Sequence, residues 1–75
     1  MMLTLIAGSR QLDIMVKPEQ RIQEVYQRLL KAGFFSKGLA GGQLKVYSMR
    51  RRAYVNPLLT FGEGRICAGD IIKLL

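Results

Sequence analysis

The chain has 75 residues, 12 Lys and Arg against 5 Asp and Glu, a net charge of +7, no histidine and one cysteine, Cys67. That length allows a single small domain spanning 1–75, and a lone cysteine excludes a disulfide framework and suits a reducing compartment. The absence of histidine removes the commonest general base and metal ligand. The positive surplus either serves solubility alone or favours acidic partners: RNA, DNA, anionic lipid or an acidic protein surface.

No run of 18 apolar residues occurs, so no membrane span is expected. Residues 1–7 are apolar, but no basic segment precedes them and Gly8-Ser9-Arg10 interrupts them, so no signal peptide is expected either. A cytoplasmic domain is the default.

Residues 2–7 form a β-type run with Leu3 and Leu5 inward, and Gly8-Ser9-Arg10 reads as a turn. Residues 11–17 alternate, with Leu12, Ile14 and Val16 on one face, so the two runs make a hairpin. Residues 18–33 then read as an amphipathic helix. Ile22, Val25 and Leu29 share one face, with Tyr26 and Leu30 at its edge. Pro18 marks the start, and Gly33 offers a left-handed cap at the end, with Phe34 folding back onto Leu29. Glu19 and Glu24 come early, Arg28 and Lys31 late, and Glu24–Arg28 is a favourable i, i+4 pair. The N-cap is weak, because Gln20 or Arg21 stands where Ser, Thr or Asp is preferred.

Phe34 and Phe35 are expected to complete the core rather than to stack on a ligand. Residues 36–42 carry three glycines and read as the loosest part of the fold. They lack Walker spacing and lead into a strand, which excludes a phosphate loop. Residues 43–49 alternate, Leu44 and Val46 inward, Lys45, Tyr47 and Met49 outward. Arg50-Arg51-Arg52 is a turn before a short strand at 53–56 that Pro57 stops. Residues 58–65 form a loop or a short 3₁₀ turn with Leu59 and Phe61 inward, 66–70 end in a Gly-Asp turn, and 71–75 make the last strand.

The order ββαβββ predicts an α+β domain, with a mixed sheet of four to five strands packed on one helix and the first and last strands parallel at its centre. This is the β-grasp, or ubiquitin-like, arrangement. The stretch Val16-Lys17-Pro18-Glu19-Gln20-Arg21-Ile22-Gln23-Glu24-Val25 resembles the strand end, proline and helix start of ubiquitin-like domains. Residues 61–74 are similar to their late segment, in which a hydrophobe, a polar turn, an Ile, a glycine turn and a final strand follow one another. Within that group, Cys67-Ala68-Gly69-Asp70-Ile71-Ile72 resembles the ending of the bacterial YukD/EsaB family of type VII (WXG100) secretion systems. The resemblance implies an accessory cytosolic component of a secretion machine, either as a free protein or as a domain of a larger one. The sequence ends inside the predicted last strand with no Gly-Gly, so conjugation and sulfur transfer are not expected.

No catalytic constellation is visible. Asp13, Glu19, Glu24, Glu63 and Asp70 are scattered, no serine has a candidate base, and Cys67 lacks companions for a metal site. An enzyme is not expected, no cofactor is implied, and Cys67 reads as a small half-buried hydrophobe. What remains is surface. The sheet face opposite the helix should carry Lys45, Tyr47, Met49, Ile71, Lys73 and Leu75, with Arg10 in the nearby turn: apolar residues ringed by positive charge, as in a protein-binding patch. Such a face is otherwise solvated, covered within a larger chain, or sealed as a homodimer by Ile71 and Leu75. A second candidate, for an anion or nucleic acid, is Arg50, Arg51 and Arg52 with Tyr54. Its plain alternative is a solvated turn.

Overall fold

Alternating apolar residues and one tight turn build the first hairpin. In the computed structural model, which describes residues 1–34 and 44–75, β1 (Met2–Ala7) pairs antiparallel with β2 (Arg10–Met15). The connection is two residues long. Gly8 takes φ 61°, the left-handed value that the first position of a type II′ turn requires. The remaining elements are α1 (Ile22–Lys31), β3 (Val46–Ser48), β4 (Ala53–Val55) and β5 (Ile71–Leu74). Among the described residues the fold is α+β, with one helix and a five-stranded mixed sheet in the order β2-β1-β5-β3-β4. β1 and β5 run parallel, and the other neighbours are antiparallel. The ladder between β3 and β5 continues past the strand ends, because Lys45 and Leu75 exchange both backbone hydrogen bonds.

One buried cluster joins the inner side of the sheet to the helix. Leu3, Leu5 and Ala7 of β1, Val46, Val55, Ile72 and Leu74 of the later strands, and Val16, Phe61 and Ile66 from connections pack with Ile22 and Tyr26 of α1. Tyr26, expected at the edge of the helical stripe, is central to it. Val25, Leu29 and Leu30 are only half-buried against the cluster. The buried row of the helix is thus the i, i+4 pair Ile22–Tyr26.

The helix begins four residues later than the proline suggests. Lys17 N–H donates to Gln20 Oε1 at 2.8 Å and Gln20 N–H to Lys17 O at 3.0 Å, which holds 17–20 as a turn. Arg21 is extended (φ −79°, ψ 140°) and bridges to Thr60, so it cannot be helical. Its side chain caps nothing. Two orphan N–H groups of the first helical turn are satisfied from elsewhere: Ile22 N–H donates to Leu59 O (3.1 Å) and Gln23 N–H to Pro57 O (2.9 Å). A loop from the far end of the chain replaces the missing cap.

The C-terminus of α1 is closed locally. Gly33 at φ 83° donates to Leu30 O, and Phe34 N–H donates to Leu29 O at 3.0 Å, the pair of bonds that defines a Schellman motif. The Phe34 ring does not join the core as expected. It is 42% exposed, whereas Phe61 is buried. Phe35, the glycine-rich stretch 36–42 and the predicted strand start at 43 lie outside the described residues. Glu24 pairs backwards with Arg21 (3.9 Å) rather than forwards with Arg28. No helix among the described residues is long and apolar enough to cross a membrane.

Candidate functional site

Register decides what each sheet face carries, because cross-strand partners point the same way. Tyr47 lies opposite Lys73, Lys73 opposite Ile6, Ile6 opposite Gln11, and Tyr47 opposite Tyr54. One row of side chains therefore crosses all five strands on the side away from the helix. A second row contains Asp13, Thr4 and Ile71, and a third pairs Met15 with Met2. Lys45 and Leu75 flank the first row at the end of the β3–β5 ladder.

Much of this open face is apolar. Met2, Met15, Met49, Tyr54, Ile71 and Leu75 are large hydrophobic residues left exposed, and Ile6 and Tyr47 are half-buried beside them. Tyr47 and Tyr54 meet edge to face, with ring centroids 5.1 Å apart and planes at 75°, the arrangement that aromatic quadrupoles favour. Positive charge comes from Lys45 and Lys73. The one carboxylate of the rows, Asp13, accepts a 2.7 Å hydrogen bond from the Thr4 hydroxyl.

Six of the seven residues expected on this face, Lys45, Tyr47, Met49, Ile71, Lys73 and Leu75, are brought together. Arg10 is not. The hairpin loop holds only Gly8 and Ser9, so Arg10 is a strand residue opposite Ala7, on the helix side. Its guanidinium donates to Phe34 O at 2.9 Å, just past the end of α1. Tyr54, grouped by sequence with the arginines, joins Tyr47 instead. Sequence reasoning passed over Ile6 and Thr4, whose place depends on the β1–β5 register. Only the outward alternation of 2–7 signals it.

Arg50, Arg51 and Arg52 form the β3–β4 turn, as expected, and a buried carboxylate fixes it from below. Asp70 is 2% exposed. Its Oδ2 accepts from the Ser48 hydroxyl at 2.6 Å, and its Oδ1 accepts from the N–H groups of Arg50 (3.1 Å) and Ile71 (2.8 Å). Ser48 Oγ in turn accepts from Arg51 N–H at 3.2 Å. A carboxylate that receives three hydrogen bonds and shares a fourth through Ser48 is a satisfied buried charge. Sequence gave no sign of it, since Gly69-Asp70 reads as an exposed turn. The turn itself is real: Asp70 N–H donates to Cys67 O, and Gly69 takes φ 85° at the position where a type II turn needs glycine. Cys67, expected half-buried, is exposed and free, with its thiol 3.9 Å from Arg65 O.

Arg51 is structural. Its Nη1 donates to Gly64 O at 2.6 Å and ties the arginine turn to residues 60–66. That segment is a single helical turn with its own reciprocal cap. Thr60 N–H donates to Glu63 Oε1 (2.9 Å) and Glu63 N–H to Thr60 Oγ1 (3.0 Å). The Thr60 backbone bond, then the Thr60 hydroxyl, hold the Glu63 carboxyl below its ordinary value of 4.5, with a smaller contribution from Arg21 and a small opposing effect of burial. Arg65 closes the turn at φ 57°.

Among the described residues no three of His, Cys, Asp and Glu come together as metal ligands. No known family model matches this chain, and a search of curated proteins finds no relative of it.

Proposed function

We propose that the chain is a β-grasp, ubiquitin-like adaptor that acts without catalysis in the cytoplasm by binding another protein through its open sheet face. The fold assignment is supported by the strand order β2-β1-β5-β3-β4, the parallel β1–β5 pair and the position of α1 between β2 and β3. The observation that carries the binding reading is the group of large apolar side chains left exposed on the side of the sheet away from α1, with Lys73 in their midst and Lys45 at their margin. A small monomer seldom leaves so many large apolar side chains together in water. The resemblance of the Cys67–Asp70 ending to YukD/EsaB proteins supports a partner in a type VII-like bacterial secretion apparatus.

Affinity capture tests this reading with three baits: the unaltered chain, Tyr47→Ala with Leu75→Ser, and Gln27→Ala with Arg28→Ala on the polar side of α1. The reading predicts one secretion-machine protein captured by the first and third baits and lost with the second. Equal capture by the second bait, or loss with the third, would contradict it. Sedimentation of the unaltered chain separates a homodimer sealed by Ile71 and Leu75 from capture of a different protein.

A further inference from the structure

The Arg51–Gly64 hydrogen bond joins two turns, and each carries arginine beside the joint. Arg52 follows Arg51, Arg65 follows Gly64, and Arg50 precedes them on the same turn. The contact is close: a Cβ at Gly64 would lie 2.7 Å from Val55 Cγ1 of β4. All four arginines are exposed. Among the described residues the side chains of Arg50, Arg52 and Arg65 have no hydrogen-bond or ion-pair partner. The carboxylates of the two adjoining segments are committed elsewhere, Asp70 to its buried bonds and Glu63 to Thr60. Three unneutralised guanidinium groups are thus presented from a backbone that Asp70, Ser48 and Arg51 hold in place. Planar guanidinium forks of this kind match phosphate oxygens.

Tyr54 lies two residues beyond Arg52, on strand β4, and is 63% exposed. An aromatic ring on an open sheet face, two residues along the chain from an arginine turn, suits single-stranded nucleic acid: phosphates to the arginines, a base against the ring. A lipid headgroup needs the cations but not the ring. We propose that this corner binds the phosphodiester backbone of a single-stranded nucleic acid, with Arg50, Arg52 and Arg65 as phosphate contacts and Tyr54 as the stacking surface for one base. The arginines of this site lie outside the rows of the open face, and Tyr54 is the one residue it shares with the protein-binding reading.

The test is fluorescence anisotropy with short labelled oligouridylate and oligodeoxythymidylate across a salt series. Three phosphate contacts predict a slope of log affinity against log salt of about −2. Arg50→Gln, Arg52→Gln and Arg65→Gln together should weaken binding at least about tenfold and flatten the slope. A control with the same charge change elsewhere, Lys17→Gln, Arg28→Gln and Lys31→Gln, should weaken it far less. Tyr54→Ser should cost about tenfold, the size of one stacking contact, with the slope unchanged. Should the triple variant fail to fold by circular dichroism, Arg50→Glu carries the test, with an expected loss of about fivefold. No binding at low salt, equal loss in the control, unchanged affinity in Arg50→Glu, or tighter binding to anionic vesicles than to either oligonucleotide would overturn the proposal.

Discussion

Ile71 and Ile72 are neighbours in β5 with identical side chains, yet Ile72 is 0% exposed and Ile71 39%. The same alternation runs through β3, where Val46 and Ser48 are buried and Tyr47 between them faces outward. One backbone ladder thus supports two surfaces of different character. On the helix side, each buried position has packed or hydrogen-bonded neighbours and contributes to stability. On the open side, apolar groups remain partly in water, where their removal costs the fold little and their burial by a partner would be favourable. Stability and recognition are separated by a period of two residues.

Substitutions on the two sides should therefore differ sharply. Ile72→Ala leaves a cavity in the buried cluster and should cost about 4 kcal/mol in urea unfolding, while Ile71→Ala should cost less than about 1 kcal/mol. A 75-residue domain has only about 4–11 kcal/mol in total. Similar costs for the two isoleucines would erase the distinction between the faces.

Asp70→Ala is expected next in size, at about 3 kcal/mol, because it strands the Ser48 hydroxyl and two backbone N–H groups. Denaturant unfolding measures it, and a loss below about 1 kcal/mol would mean that the turn stands without its carboxylate. Gly64→Ala should follow at about 2 kcal/mol, since the new methyl meets Val55 Cγ1, a branched side chain that cannot swing aside.

The smallest expected effect is a pH dependence on the open loop. The folded state holds Glu63 below its ordinary value of 4.5, so its contribution is complete above that value and fades as pH falls through the lowered one. Glu63→Gln should melt lower than the unaltered chain at neutral pH, with the gap closing in acid. A gap independent of pH would remove the carboxylate from the cap.

The parts of this account that were legible in sequence are those set by local pattern. Alternation placed Leu3, Leu5, Val46 and Tyr47 on their faces, and Gly33 announced the end of α1. The misplaced residues failed for physical reasons. A two-residue hairpin loop in place of three moved Arg10 to the opposite face, because side-chain direction reverses with every residue. The weak N-cap at Arg21 looked like a defect because Pro57 and Leu59, which satisfy the helix, are distant in sequence. Asp70 looked like turn chemistry because its partners, Ser48 and the Arg50 and Ile71 amides, converge only in the folded sheet. The Thr60–Glu63 cap was readable from its Thr-x-x-Glu spacing and was passed over because no long helix follows it. The arginine corner needed the Arg51–Gly64 contact before Arg65 could be counted with Arg50 and Arg52.

The most direct test of the separation between faces is an amide chemical-shift footprint of the labelled chain with its captured protein partner. Shifts are expected to gather at Lys45, Tyr47, Ile71, Lys73 and Leu75, with Gln23, Gln27 and Lys31 of α1 unmoved. Shifts concentrated on those helix residues, with a silent sheet face, would contradict it.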